Sequence, residues 1–184
     1  VCGVTISGTV YGTDETTPLS GTPAIKLSVA GTASTTVNLS SGDFTFSSLP
    51  VEPTPGDVIT IWTDGGSDRA TLVFKYGSVC EGGTTDCVGL SLYKDNVIIG
   101  VDYNNTLAST TIADLAVCDN DSGAECSDID IGFTSNSGVL VTTWATNTLR
   151  LKDANARFSP GGGVTVSGLK ISAGAFDSSG ISNW

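Results

Sequence analysis

Apolar and polar side chains alternate along almost the whole chain, and Gly, Pro, Asn and Asp interrupt the alternation every few residues. A period of two is the mark of strands with one buried face. In the first part the pattern predicts strands over Val4–Tyr11, Ala24–Val29, Thr35–Leu39, Phe44–Phe46, Asp57–Trp62 and Ala70–Tyr76. The stretch from Leu49 to Pro55 holds three prolines, which lack the amide a ladder needs, and reads as irregular. Further on, strands are predicted over Val88–Tyr93, Asn96–Val101, Ile129–Phe133, Val139–Trp144, Thr148–Leu151, Ala156–Phe158 and Val164–Ala173. Only Thr110–Ala116 leans towards helix, with Thr111 placed to cap it and Asp114 in its first turn. No repeat of solenoid period stands out. The expected class is all-β with at most one short helix.

The order of motifs in the first part is Ser7-Gly8-Thr9-Val10-Tyr11, Pro18-Leu19-Ser20-Gly21, a strand at Ile25 to Val29, Gly42-Asp43-Phe44-Thr45-Phe46-Ser47-Ser48-Leu49-Pro50, and Gly56-Asp57-Val58-Ile59-Thr60-Ile61. This resembles the carboxypeptidase-regulatory-like, transthyretin-like β-sandwich of secreted bacterial surface proteins. The likeness extends to Tyr76, and the Gly-x-Phe-x-Phe-x-x-Leu-Pro run carries most of it. The chain has Ser40-Ser41 where the family usually has Asp before the turn glycine. The resemblance implies an Ig-like sandwich over residues 1–78 that serves as spacer or assembly module and not as an enzyme. A second β-rich domain, 79–184, would follow, with two short disulfide loops and a C-terminal β tail.

Composition narrows the chemistry. The 184 residues carry 8 basic and 19 acidic side chains, a net charge of −11. Such a chain repels phosphate backbones and anionic lipid surfaces, so nucleic-acid binding is not expected. No apolar run reaches the length of a membrane span. There is no His, which removes Ser-His-Asp and Cys-His nucleophile systems and the commonest metal ligand. The strand pattern begins directly at Val1, as in a chain after signal cleavage.

The five cysteines fall into two tight pairs and a remainder. Cys80 and Cys87 flank a Gly/Thr loop, Cys118 and Cys126 flank an Asp/Ser/Gly loop, and Cys2 stands alone. Paired cysteines at short spacing imply an oxidising, extracellular compartment, and an odd cysteine there is either free or linked between molecules.

One loop crowds carboxylates: Asp119, Asp121, Glu125, Asp128 and Asp130. Alternating acidic side chains and a glycine turn supply the oxygen ligands that Ca²⁺ takes. The glycine falls a position early for a calcium loop and no Glu closes it, so a solvated acidic hairpin tip held by Cys118 and Cys126 is the simpler reading. A carboxylate-pair glycosidase needs no His, but nothing in the sequence sets two of these groups across a cleft. Trp62, Tyr76, Tyr93, Trp144 and Trp184 are the candidates for a sugar-stacking platform; Trp62 and Trp144, in alternating strands, read as core, and Trp184 as a contact residue. Asn38, Asn104 and Asn120 begin glycosylation sequons. Lys26 and Lys94 are the candidates for an intramolecular amide cross-link, although neither lies in a motif for one.

These features converge on a secreted, non-enzymatic structural subunit of an extracellular filament or surface layer, a homopolymer joined by exchange of terminal strands. Val1–Tyr11 carries neither charge nor Pro, the usual protections of an edge strand. The alternative is a carbohydrate-binding or adhesive module of a larger surface protein.

Overall fold

The computed structural model describes residues 3–21, 23–77, 85–100, 110–121, 126–135, 138–143, 148–152, 156–160 and 163–177. Eight strands come first: β1 Ile6–Tyr11, β2 Ala24–Val29, β3 Thr32–Asn38, β4 Asp43–Phe46, β5 Val58–Asp64, β6 Ala70–Lys75, β7 Cys87–Tyr93 and β8 Asn96–Ile99. Among the described residues one short helix, α1 Ile112–Leu115, follows. The remaining strands are β9 Phe133–Thr134, β10 Leu140–Thr142, β11 Thr148–Leu151, β12 Arg157–Phe158, β13 Val164–Thr165, β14 Gly168–Ile171 and β15 Ala175–Phe176. The protein is nearly all β, as its alternation predicts.

A seven-stranded sheet, β14-β11-β8-β6-β5-β2-β3, forms the middle layer. The β3-β2-β5-β6 part is antiparallel, and from β6 through β8 and β11 to β14 every pairing is parallel. Against one face lies the small sheet β4-β1-β7. Ile25, Leu27, Ile59, Ile61, Leu72, Phe74 and Ile98 of the middle layer pack there on Ile6, Val10, Phe44, Phe46, Leu90 and Leu92. The opposite face presents Val58, Trp62, Val73, Val97, Ile99, Leu149 and Leu151 to α1, β9, β10 and β12, through Ile112, Leu115, Phe133, Leu140 and Phe158. Burial of both faces explains why β5, β6 and β8 read Val-Ile-Thr-Ile-Trp, Ala-Thr-Leu-Val-Phe and Asn-Val-Ile-Ile, with hardly an exposed position.

This arrangement corrects the division at residue 78. The sandwich is completed by β7, whose residues pair in parallel with β1 from Ile6↔Cys87 to Tyr11↔Tyr93. The middle sheet likewise takes β8, β11 and β14 from beyond that boundary. The two cores lie on the two faces of one sheet rather than in two halves of the sequence, because the apolar runs of β5 and β6 need cover on both sides.

A second correction concerns β1. It lies inside its sheet, between β4 and β7, with Ile6 and Val10 fully buried. Its lack of charge reflects an interior place, not an open edge. Gly8 is where β7 comes closest: a Cβ there would run into the Leu90 carbonyl and its Cβ.

The C-terminal strands form two successive coils. β13 pairs in parallel on β10, β14 on β11 and β15 on β12, each strand of the second coil lying on its counterpart in the first.

Candidate functional site

The acidic positions do not converge on one centre. Asp128 and Asp130 fold back onto the middle sheet, where their carboxylate oxygens and one from Asp64, at the end of β5, lie within 4.8 Å of one another. Lys26 of β2 reaches into the group, with its Nζ 3.1 Å from Asp64 Oδ1 and 2.9 Å from Asp128 Oδ2. The Trp62 indole Nε1 donates to the same Asp128 oxygen at 3.1 Å. The Arg69 Nε lies 3.4 Å from Asp130 Oδ1, and the Gly65 amide donates to Asp130 Oδ2 at 2.8 Å. Within the loop, the Asp130 amide donates to Asp128 Oδ1 at 3.0 Å.

Electrostatically this is a closed account of three carboxylates, two cations and oriented N–H groups. Partial burial works against charge on Asp128, but the Lys26 ammonium, the Asp130 amide and the Trp62 indole outweigh it and hold its pKa below the usual carboxylate range. Burial also works against the Lys26 charge, and the bonds to Asp128 and Asp64 overcome it, leaving the lysine pKa raised. Lys94 is paired similarly, 2.7 Å from Asp68 Oδ1, which raises its pKa. Both amines are held as ammonium ions, and an ammonium has no lone pair with which to attack a carboxyl group.

Asp119 and Asp121 form a separate group. Asp119 is buried and accepts from the Ser135 amide at 2.7 Å and the Ser135 hydroxyl at 2.6 Å. The Asp121 amide donates to Asp119 Oδ1 at 3.2 Å, and the Asp119 carboxylate raises the pKa of exposed Asp121. Asp119 therefore acts as a clamp between the disulfide loop and the segment after β9. Glu125 lies outside the described residues. The five-residue calcium set is thus split, and Asp64 joins half of it from a strand that no loop motif would include. The signal for Asp64 was its place beside the Gly65-Gly66 turn, too common a context to single it out.

Cys118 and Cys126 are joined, with Cα atoms 5.1 Å apart. The bridge is buried against the β2–β3 turn, where the Cys126 sulfur lies 3.5 Å from Ser28 Oγ. The turn glycine, Gly31, has φ +72°, and a Cβ on it would meet the Val117 carbonyl at 2.6 Å. The loop around Val117 is therefore seated on the β2–β3 turn. Cys87, at the start of β7, is disulfide-bonded; Cys80 and Cys2 lie outside the described residues.

The described aromatic candidates are core residues. Trp62 is 1% exposed, Tyr76 donates its hydroxyl to the Thr85 carbonyl at 3.0 Å, and Tyr93 stacks on Tyr11 with centroids 5.5 Å apart. Trp144 and Trp184 lie outside the described residues. Of the sequons, Asn38 is exposed at the end of β3, Asn120 is half-buried with its amide bonded to the Phe133 carbonyl, and Asn104 lies outside the described residues.

Fold and site together define a three-layer, disulfide-stapled β protein. No family model, curated protein or solved structure matches the chain. Among the described residues, no helix is long and apolar enough to cross a membrane.

Proposed function

We propose that this chain is a secreted, non-enzymatic structural module of an extracellular filament or surface layer, and that it associates with copies of itself. The observation that carries this reading is the middle sheet: among the described residues it ends at β3 on one side and β14 on the other, with no further strand paired to either. Open sheet edges are templates for strand addition. The buried Cys118–Cys126 bridge supports an oxidising compartment. The likeness of the first part to transthyretin-like spacer domains points the same way.

Exchange of β1 would require that strand to leave ladders on both sides, so the joint is better placed at the sheet edges. The carbohydrate-binding alternative draws little support from Trp62, Tyr76 and Tyr93, whose rings are buried. Calcium at the Asp64, Asp128 and Asp130 group would have to displace the Lys26 ammonium. Negative-stain microscopy of surface material from the source cells, with gold-labelled antibody to this chain, tests the reading. Label along fibres or an ordered layer supports it, and label confined to a soluble monomer pool rejects it.

A further inference from the structure

We infer that the two edges of the middle sheet are the two halves of one joint, β14 of one copy pairing antiparallel with β3 of the next. The inference rests on the reading of the chain as a self-associating module and specifies its contact.

Strand direction makes the first argument. β3 runs antiparallel to β2, β2 to β5 and β5 to β6, and then β6, β8, β11 and β14 all run parallel. β14 and β3 therefore point in opposite directions across the sheet. A second copy placed beside the first in the same orientation brings its β3 against β14 as an antiparallel pair, the more stable ladder. No inversion of the copy is needed. A contact between two different surfaces, repeated with each copy in the same orientation and so without a closing rotation, propagates as a filament.

The edges themselves make the second. β3 is Thr-Ala-Ser-Thr-Thr-Val-Asn, without charge or Pro. β14 is Gly-Leu-Lys-Ile, and its one charge is drawn back onto the chain: Lys170 Nζ lies 2.9 and 3.0 Å from the Glu15 carboxylate oxygens. Neither strand keeps the free charge that usually guards an edge.

Apolar exposure makes the third. Leu169 and Ile171 are 44% and 49% exposed, and they stand opposite Leu149 and Leu151, on the face that carries α1. At the far side of the sheet, over that same face, Val117 sits on the β2–β3 turn, and Ile129, 73% exposed, lies between the two aspartates anchored near Lys26 and Arg69. Four of the six large exposed apolar residues among those described thus lie over one face, Leu169 and Ile171 on the β14 edge, Val117 against the β2–β3 turn, and Ile129 between aspartates bonded to β2, β5 and the β5–β6 loop. Continuing the sheet brings the Leu169–Ile171 pair of one copy towards the Val117–Ile129 side of the next.

The test is analytical ultracentrifugation of the whole chain over micromolar to millimolar concentration, with two edge variants. One is Leu169→Lys with Ile171→Lys, and the other is Thr36→Lys with Asn38→Lys, at positions exposed in the single chain; circular dichroism checks that both fold. The parent is expected to form an open series of oligomers. Each variant alone is expected to stay monomeric, and an equimolar mixture to stop at a species of two protomers, because only one joint can form. Hydrogen exchange on the parent gives a reading independent of any variant: protection at Thr32–Asn38 and Gly168–Ile171 should rise with concentration. A parent polymer that persists in both variants overturns this joint while leaving the self-associating module standing. Dimers formed by one variant alone overturn it in favour of like edges pairing. A parent that is monomeric throughout, with no concentration-dependent protection, overturns the joint and the self-association together.

Discussion

Arg150 of β11 is held by Glu15, in the loop after β1: Nη2 donates to Oε2 at 3.0 Å and Nη1 lies 2.9 Å from Oε1. The guanidinium is buried and its Cζ stands 4.2 Å from the centroid of the Tyr93 ring. Lys170 of β14 shares the same carboxylate, so Glu15 ties the two strands at the parallel side of the sheet to the first loop of the chain.

Glu15→Gln should therefore lower stability in urea by about 1–2 kcal/mol at pH 7, less than for a fully buried pair because Glu15 is partly exposed. The bonds from Arg150 and Lys170 lower the Glu15 pKa from 4.5 to about 2. A depressed carboxylate contributes stability above its unfolded pKa and loses it as pH falls through the folded one. The parent should weaken between about pH 4.5 and 2. In the glutamine variant that loss should shrink but not vanish, since Asp14 is likewise lowered to about 2 by the Thr17 and Thr16 donors.

Lys26→Met removes the cation between Asp64 and Asp128 and leaves three carboxylates facing Arg69. Stability should fall by about 1–2 kcal/mol, since Lys26 and its two partners Asp64 and Asp128 are partly exposed. Calcium should then raise the melting temperature of the variant by more than that of the parent, because the ammonium no longer competes for the oxygens. Equal shifts in the two proteins would place any bound calcium elsewhere.

Replacing Cys118 and Cys126 together by Ala opens a loop that the bridge closes at a sequence separation of 8. The chain-entropy cost of so short a loop is about 2–3 kcal/mol, or roughly 5–10 °C in melting temperature for a chain of this size. Calorimetry checks the figure. A smaller fall would mean that packing on Ser28 and Gly31 holds the loop without the bond.

Gly8→Ala places a methyl group against the Leu90 backbone, which cannot move without breaking the β1–β7 ladder. A loss of about 3 kcal/mol is expected, at the upper end for overpacking. Gly56→Ala, where a Cβ meets nothing within 4 Å but φ is +100°, separates backbone strain from collision when measured beside it.

Much of the strand plan was legible because alternation and turn residues are local signals. Ala24–Val29 is β2 to the residue, and the Thr111–Asp114 start of α1 forms a capping box, with each residue bonding the other's backbone. What was not legible is non-local. The strands β5, β6 and β8 read as alternating segments with one buried face, and their burial on both faces follows only from partner strands and loops far along the chain. Lys26 meets Asp128 across 102 residues, and no spacing rule connects them. The two C-terminal coils escaped detection because the spacing differs at each pair: Leu140 lies under Val164, Thr148 under Gly168 and Arg157 under Ala175.

The parallel side of the sheet also governs how the chain would bear load. Among the described residues β14 is held by one ladder, to β11, which in turn pairs with β8, whereas β1 is held on both sides deep in its own layer. Tension applied from the C-terminal side reaches β15, paired on β12, then β14, and must strip β11 before it touches β8. The molecule would pay out length from that edge one strand at a time while the sandwich around β1 stayed whole, like a spring with a soft end and a stiff end.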